Sequence, residues 1–594
     1  MTQAEATTID TTTEMSGAQM ILKALTDLGV EVIFGYPGGA VLPIYDEIFK
    51  QDKIKHILVR HEQAATHAAE GYARATGKPG VVLVTSGPGA TNAVTGLTDA
   101  MLDSIPLICI TGQVARHLIG NDAFQEADTV GITRPCTKHN YLVKETSDVP
   151  TVIHEAFYVA TNGRPGPVVI DMPKDVQIEK AAYQVSEHAE HRTYRPQVHG
   201  DETAIREAVR ALSKGMRPII YSGGGIINSG PEASKLLREF AKLTGMPVTS
   251  TLMGLGAYPA SDSQFLGMLG MHGTWEANHA MHDCDVMLCI GARFDDRVTG
   301  AIDKFSPGSK KIHVDIDLSS INKNIQVDIP VVGDAKSVLE RMIAIWNEEN
   351  CSEGQPPLNA WWDQINHWRS RKCLDYQDSD DIIMPQKALE RLQHFVKDRD
   401  AVISTEVGQH QMWAAQFLGF DRPNAWLTSG GLGTMGYGLP AAIGAQIAFP
   451  DKLCIDVAGE ASIQMNIQEL GTMAQYKLPV KIFIMNNEFM GMVRQWQDLS
   501  YEGRHSESYS DSLPDFVALA EAYGMKGIMV DHPDNLDAAI EEMLSHDGPV
   551  VMDCRVAKLE NCFPMVPAGA AHNEMMLPGD GVSKPKDDEA LAVV

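Results

Sequence analysis

Two polar residues stand where chemistry is expected, Glu460 and Asn487. Each follows an apolar run. Leu453-Cys454-Ile455-Asp456-Val457-Ala458 leads through Gly459 to Glu460, and Val480 to Met485 leads through Asn486 to Asn487. These runs predict β-strands, with a helix from Ile463 to Tyr476 between them. In a parallel α/β sheet such strand ends open onto the ligand crevice. A carboxylate and an amide oxygen meeting there form a hard-oxygen site suited to Mg²⁺. Mg²⁺ takes few protein ligands and usually binds phosphate oxygens, so the site calls for a phosphate-bearing cofactor. The small residues Gly459, Ala461 and Ser462 admit the backbone to that phosphate, with N–H groups facing it from a helix start. An ordinary strand–turn–helix–strand unit with a polar turn has the same local spelling.

A second carboxylate occupies a comparable place. His61-Glu62-Gln63-Ala64-Ala65 follows Ile57-Leu58-Val59-Arg60 and opens a small-residue helix, His67 to Ala75. A carboxylate on a first helical turn commonly serves only the helix dipole. Buried beside an aromatic ring, it would share a proton strongly. The clusters Gly38-Gly39-Ala40 and Ser86-Gly87-Pro88-Gly89 read as tight turns. Gly431-Leu432-Gly433-Thr434-Met435-Gly436 spells G-x-G-x-x-G. No clear strand leads into it and no acidic partner is suitably placed, so the dinucleotide reading is set aside.

The elements that must position these residues form an α/β protein. A chain of 594 residues exceeds one core, so several domains are expected. Continuous apolar runs alternate with helical segments, which predicts three consecutive α/β domains with mostly parallel sheets. The first spans 15–188, with strands such as Val32-Ile33-Phe34-Gly35 and Gly80 to Thr85. The second spans 201–346 and is Rossmann-like, with Gly223-Gly224-Gly225 after its first strand. The third spans 384–574. Arg192 to Asp201 and the Trp-bearing stretch Asn347 to Asp381 read as linkers, and the tail after Pro578 as charged and mobile. Domains one and three share no repeat by identity, only the same strand–Gly turn–helix rhythm.

Hydrophobic content of 44% and charged content of 21% are those of a globular protein. A net charge of −28 argues against nucleic acid or an anionic membrane as partner. No run is long and apolar enough for a membrane span. Met1 to Met15 is Thr-rich without Lys or Arg, and reads as neither signal nor transit peptide. Nine cysteines lie scattered without Cys-x-x-Cys, and Cys109, Cys289 and Cys454 sit in apolar runs. That usage suits the reducing cytoplasm.

Glu460 with Asn487, and Glu62 with Thr85 to Asn92, together resemble the motifs of the thiamine diphosphate (ThDP) enzymes. That family usually has Asp where this chain has Glu460. Further strings narrow the match: Gly35-Tyr36-Pro37-Gly38-Gly39-Ala40, Gly120 to Asp128, Gly163-Arg164-Pro165-Gly166-Pro167, Met268 to Gly273, Gly291 to Gly300, and Gly491 to Trp496. From about residue 15 to 572 the chain resembles the catalytic subunits of the acetohydroxyacid (acetolactate) synthases.

The resemblance implies a pyrimidine-binding first domain, an FAD-binding central domain and a diphosphate-binding third domain. It implies that Glu62 hydrogen-bonds N1′ of the aminopyrimidine and that Met435 buttresses the bent cofactor. Gln125 would orient the reacting carbonyls, and Lys174 would stand near the channel entrance. Phe124 and Trp496 would shape the pocket, and Arg297 would bind a carboxylate. Glu460, Asn487 and Phe489 would hold Mg²⁺. The cofactor-binding positions carried over are Gly39, Gly87, Arg164, Gly223, Gly224, Gly225, Thr251, Leu252, Met271, His272, Gly291, Arg293, Asp295, Arg297, Asp315 and Asp334. In the third domain they are Val407, Gly408, Gln409, His410, Gly433, Met435, Gly459, Ala461, Ser462, Gly491 and Met492. Clustered Arg and Asp in the central domain would equally make a structural ion-pair network. Ala115 replaces a proline frequent in this family, which points to a channel mouth of different shape or stiffness.

The implied reaction decarboxylates pyruvate and joins the product to a second 2-ketoacid, pyruvate or 2-ketobutyrate. The implied assembly is a homodimer or homotetramer with active sites at the subunit interface, joined by a small regulatory subunit. A flavin-dependent pyruvate oxidase, another ThDP carboligase or acyltransferase, and an inactive ThDP-binding scaffold remain as alternatives.

Overall fold

The apolar runs become the strands of three parallel six-stranded sheets in a computed structural model that describes residues 14–185 and 191–580. The expectations for the first residues fall on 1–13, and much of the charged tail on 581–594. Both ranges lie outside the described residues, which take in only Glu14 and Met15 of the first stretch and Gly579 and Asp580 of the second. The chain divides into two compact units, the first ending at Arg195 and the second starting at Pro196, apart from Arg74–Gly77, which belongs to the second.

In the first unit the sheet runs Lys55–Leu58, Val32–Gly35, Gly80–Val84, Leu107–Gln113, Pro167–Pro173, His139–Leu142. The strands Gly80–Val84, Leu107–Gln113 and Pro167–Pro173 are buried at every residue, as a sheet covered on both faces requires. The helix Gly17–Asp27 starts with a capping box between Ser16 and Gln19. It lays Met20, Ile21, Ala24 and Leu25 into the core that holds Val168 and Ile170.

The second unit holds two sheets. The central one runs Phe265–Met268, Val248–Ser250, Pro218–Ser222, Val286–Ile290, Lys310–Asp315, Ile329–Val332. Its strand order reverses between Pro218–Ser222 and Val286–Ile290, the switch point where α/β sheets bind ligands. The third sheet runs Trp426–Leu427, Ala401–Thr405, Leu453–Gly459, Lys481–Asn486, Val550–Arg555, Lys526–Val530. Numbered within its own domain, this is the strand order of the first sheet. The shared rhythm of those two domains is therefore a shared topology.

The stretch Asn347 to Asp381 is more than a linker. It contains the end of the helix Ala335–Glu348 and the helices Cys351–Gly354 and Asn359–Arg369. Trp361 is buried, and its indole N–H donates to the Pro218 carbonyl at 3.1 Å. Trp362 donates to the Gly245 carbonyl at 3.0 Å. Trp361 packs with Ile219, Tyr221 and Met287 on one face of the central sheet, and truncating it to Ala is expected to cost about 3–5 kcal/mol.

All nine cysteines are free and buried, including Cys109, Cys289 and Cys454. Among the described residues no helix is long and apolar enough to cross a membrane.

Candidate active site

The strands Leu453–Gly459 and Lys481–Asn486 pair in parallel with Gly459 opposite Met485. Their C-terminal ends are therefore level, and the next residues of each, Glu460 and Asn487, are neighbours. The Asn487 backbone N–H donates to Glu460 Oε2 at 3.4 Å. Glu460 is 1% exposed, and its Oε1 has no hydrogen-bond partner. Burial pushes its carboxyl pKa up to about 8, with Asp553 and Glu488 adding to the effect. A buried carboxylate oxygen without a donor is expensive unless a cation meets it. The donor set is hard oxygen, so these residues fit Mg²⁺. Asn487 Oδ1 accepts the Phe489 N–H at 3.2 Å across a tight turn, with Glu488 at φ +62°.

Helix starts surround this pair. Gln409–Phe417 begins after Gly408 and Gly491–Ser500 after Met490, and neither has a side-chain cap. Helix starts without a side-chain cap can offer N–H groups to an anion such as a diphosphate. The glycines also serve protein packing. A Cβ on Gly459 would stand 2.7 Å from the His410 ring, and one on Gly491 would stand 2.1 Å from Gln409 Oε1. Gln409 in turn accepts from Asn487 Nδ2 at 3.3 Å, which links the helix start to the turn at Asn487. Burial pushes the His410 pKa down to about 3, so the ring is neutral. The Val407 N–H donates to Ser462 Oγ at 3.3 Å, and Ala461 lies between Ser462 and Glu460 in the same turn. Gly433 has φ +73° and stands clear of neighbours, and Met435 and Met492 are half-buried. A two-residue strand, Trp426–Leu427, does precede the Gly431 loop, too short to register as an apolar run.

Trp496 packs with Leu499, Met565, Met576 and Met271, so the third domain's helix meets the central domain's loop. That loop is tied down by Met271 N–H to the Arg297 carbonyl at 2.7 Å and by Val566 N–H to the Met271 carbonyl at 2.8 Å. Met271, Arg297, Val298, Val566, Pro567 and His572 line a cleft there. Arg297 is half exposed and lies 3.5 Å from Asp296. His272 is buried, pushed down to about 4 by burial, and its Nδ1 lies 3.1 Å from the Pro564 carbonyl.

At the central switch point, a Cβ on Gly223 would meet the Gly291 carbonyl at 2.3 Å, and one on Gly225 would meet Gly291 Cα at 2.5 Å. The glycines let two loops touch at the crevice. Gly224 starts the following helix, Gly224–Asn228. Thr251 caps the turn holding Leu252, and Asp295 caps the helix Asp296–Thr299 that carries Arg297. Burial raises the Asp295 pKa. Asp315 ends its strand and accepts the Asp317 N–H at 2.8 Å, and the Arg293 carbonyl lies 3.4 Å from Asn324 Nδ2. Asp334 caps the helix Ala335–Glu348 and accepts from Ser229 Oγ at 2.8 Å. These glycines, acids and arginines fit a dinucleotide at the strand ends.

In the first unit, Glu62 opens the helix Glu62–Thr76 and is 9% exposed. Asn92 Nδ2 donates to its Oε2 at 2.9 Å. Its Oε1 would lie 3.5 Å from a Cβ on Gly89, so that glycine leaves the carboxyl open. Gly87, at φ +55°, would meet the Gln125 carbonyl at 2.7 Å if it carried a Cβ. Gln125 itself has φ +59°, a strained value for this residue type. Phe124 is 88% exposed, Lys174 opens the helix Lys174–Ile178, and Gly39 faces open space. Arg164 has a further role within its unit. Its Nε donates to Ser104 Oγ at 2.8 Å and its Nη2 to the Leu102 carbonyl at 3.3 Å, at the C-terminal end of the helix Val94–Asp103. Ala115 has φ −57°, the value a proline would impose, so the backbone shape is kept and stiffness is what the substitution changes.

Sequence reasoning passed over two residues. Arg494 is fully buried and donates to Asp498, to Asn561 Oδ1 and to the Glu560 carbonyl, anchoring the helix that bears Met492 and Trp496. Glu406 follows the strand Ala401–Thr405 and is buried under the Gly431 loop. Its position at a strand end was the available signal.

Known proteins match this arrangement along the whole chain. Models of the thiamine pyrophosphate (TPP) enzymes match as an N-terminal TPP binding domain over residues 15–132, a central domain over 205–342 and a C-terminal TPP binding domain over 406–554. The acetolactate synthase large subunit of Haemophilus influenzae is 51% identical over 97% of this chain and 99% of its own length. The acetolactate synthase isozyme 3 large subunit of Escherichia coli is 50% identical over 95% and 98%. The acetolactate synthase of Mycobacterium bovis is 47% identical over 95% and 91%. With that identity over almost its whole length, the chain belongs to the acetolactate synthase large subunits, a family of ThDP enzymes.

Proposed function

We propose that this acetolactate synthase decarboxylates pyruvate and joins the two-carbon product to a second 2-ketoacid. Pyruvate as acceptor gives 2-acetolactate, and 2-ketobutyrate gives 2-aceto-2-hydroxybutyrate, for branched-chain amino-acid synthesis. The observation that carries the reading is the buried, partnerless Glu460 oxygen beside Asn487, under helix starts with no caps of their own. Bound ThDP supplies the nucleophilic carbon and the electron sink for decarboxylation.

The protein's part is to hold and to exclude. Glu460, Asn487 and Phe489 would hold Mg²⁺, and the Gly408, Gly459 and Gly491 turns would receive the diphosphate. Glu62, oriented by Asn92, would hold a proton at the pyrimidine ring nitrogen. Met435 would support the bent cofactor, and Gln125 and Lys174 would guide substrate. Arg297 would bind the acceptor's carboxylate with its planar fork. Trp496 would exclude water and narrow the pocket. FAD would lie at the central switch point. The proposal places the three domains at 15–188, 201–346 and 384–574, the assembly as a homodimer or homotetramer with a small regulatory subunit, and the enzyme in the cytoplasm.

The test is turnover. Purified protein with pyruvate, ThDP, Mg²⁺ and FAD should form acetolactate without consuming oxygen, and added 2-ketobutyrate should divert product to the larger acid. Oxygen uptake in place of carboligation would replace this reading with a flavin-dependent oxidase.

A further inference from the structure

Glu406 is fully buried, and its carboxylate is the meeting point of three segments. Gly436 N–H donates to Oε2 at 2.6 Å, Ser462 Oγ–H to the same oxygen at 2.9 Å, and Leu439 N–H to Oε1 at 3.1 Å. The Gly436 carbonyl is held from the other side by Asn466 Nδ2 at 2.7 Å. The helix Gly438–Ala448 has no side-chain cap of its own, so the Glu406 carboxylate supplies the negative charge at its start. Gly438 is seated without room to spare. A Cβ there would lie 2.3 Å from Asp456 Oδ1 and 2.6 Å from the Glu406 backbone nitrogen.

We propose that Glu406 is a positioning residue of the cofactor site, one carboxylate setting the spacing between the loop that carries Met435 and the turn that carries Ser462. The inference rests on the ThDP reading of those two segments. Its physical basis is acceptor count. A carboxylate only accepts, so it can serve three donors at once, whereas an amide turns a donor toward one of them. The Ser462 hydroxyl can rotate away, but the two backbone N–H groups cannot. Asp456, on the adjacent strand, donates nothing to this set. Its Oδ1 accepts from Ser404 Oγ at 3.1 Å, and burial together with Glu406 pushes its pKa well up. Burial pushes the Glu406 carboxyl up as well, and two buried carboxyls that repel each other keep one proton between them. Asp456 holds it, and Glu406, with donors on both oxygens, is the anion.

The experiment measures ThDP binding calorimetrically at fixed Mg²⁺ on the full-length protein. Binding by the unaltered protein tests the ThDP reading, and the variants test the role of Glu406. Glu406→Gln is expected to weaken ThDP by about 10–100-fold, the range for residues that orient ligating groups. Its apoprotein should melt close to the parent. Hydrogen exchange should speed up at Gly436 and Leu439 and stay unchanged along the strand Leu453–Gly459. Asp456→Asn, already neutral in this account, should bind ThDP within about threefold of the parent, a change of roughly 0.6 kcal/mol. Parent-like ThDP affinity in Glu406→Gln overturns the inference, as does a loss that only tracks the folded fraction. If Glu406→Gln does not fold, Glu406→Asp takes its place. It keeps the charge but falls short of the loop, and parent-like affinity and exchange there overturn the inference equally.

Discussion

Glu62 in the first domain and Glu460 in the third occupy the same kind of position. Each opens a helix just past a parallel strand, in sheets of the same strand order. Their surroundings are opposite. One oxygen of Glu62 is held by the Asn92 amide, a neutral donor that fixes orientation without neutralising charge. Glu460 has a weak backbone contact on one oxygen, nothing on the other, and acidic neighbours in Asp553 and Glu488. Topology delivers a carboxyl to the crevice in both cases. Under the proposed function, the partner of each oxygen decides that Glu62 would handle a proton and Glu460 a cation.

Three changes probe that contrast. The largest effect is expected for Glu62→Gln. An amide still satisfies Asn92 but cannot hold the proton, so acetolactate formation should fall by about 10²–10⁴-fold. The melting temperature should stay close to that of the parent. A loss of stability matching the loss of rate would make Glu62 a structural acid, and the contrast would dissolve.

Next comes the pH dependence of the metal-free protein. The folded pKa of Glu460 is pushed up to about 8, from an ordinary 4.5. The folded state therefore binds more protons than the unfolded state between those values. The stability from this group is fully present below about pH 4.5 and is lost as pH rises through about 8, on the order of a few kcal/mol. Denaturant midpoints measured across that window should show the decline. Burial also pushes the Asp171 and Glu406 carboxyls up to about 7, so they share in the same decline. Glu460→Gln should lessen it by the part of one group, and saturating Mg²⁺ with ThDP should lessen it likewise in the parent. In the same variant Mg²⁺ affinity should fall by about 10–100-fold. A slope as steep in Glu460→Gln as in the parent would mean that the other buried acids carry all of it.

The parts legible in the sequence are those with one dominant physical signal. Buried parallel strands are continuous apolar runs, so Leu107–Gln113 and Leu453–Gly459 could be read directly, and with them the strand ends where Glu460 and Asn487 sit. Where the signal is mixed, reading stops. Asn359–Arg369 carries Trp, Asn, Gln and His on both faces, and only the tertiary packing of Trp361 and Trp362 shows that it is structural. Glu406 looks like any surface acid at a strand end until the Gly431 loop folds over it. Arg164 has the charge expected of a phosphate ligand, but its bonds at the end of Val94–Asp103 depend on a helix terminus far away in sequence.

The smallest effect, and the finest test of the contrast, is expected for Glu460→Asp. This change keeps the charge and shortens the reach by one methylene. If charge at the strand end were all that mattered, Mg²⁺ affinity would not move. The surrounding turn, however, is set for the longer side chain. Gln409 bridges to Asn487 at 3.3 Å, and Asn487 N–H reaches Glu460 Oε2 only at 3.4 Å, so a shorter carboxylate loses that contact. Mg²⁺ should bind about threefold more weakly, roughly 0.6 kcal/mol, far short of the loss in Glu460→Gln. Tighter binding in Glu460→Asp would show instead that the extra methylene is a burden the turn tolerates. The two glutamates would then differ in the fit of their loops and not only in their partners.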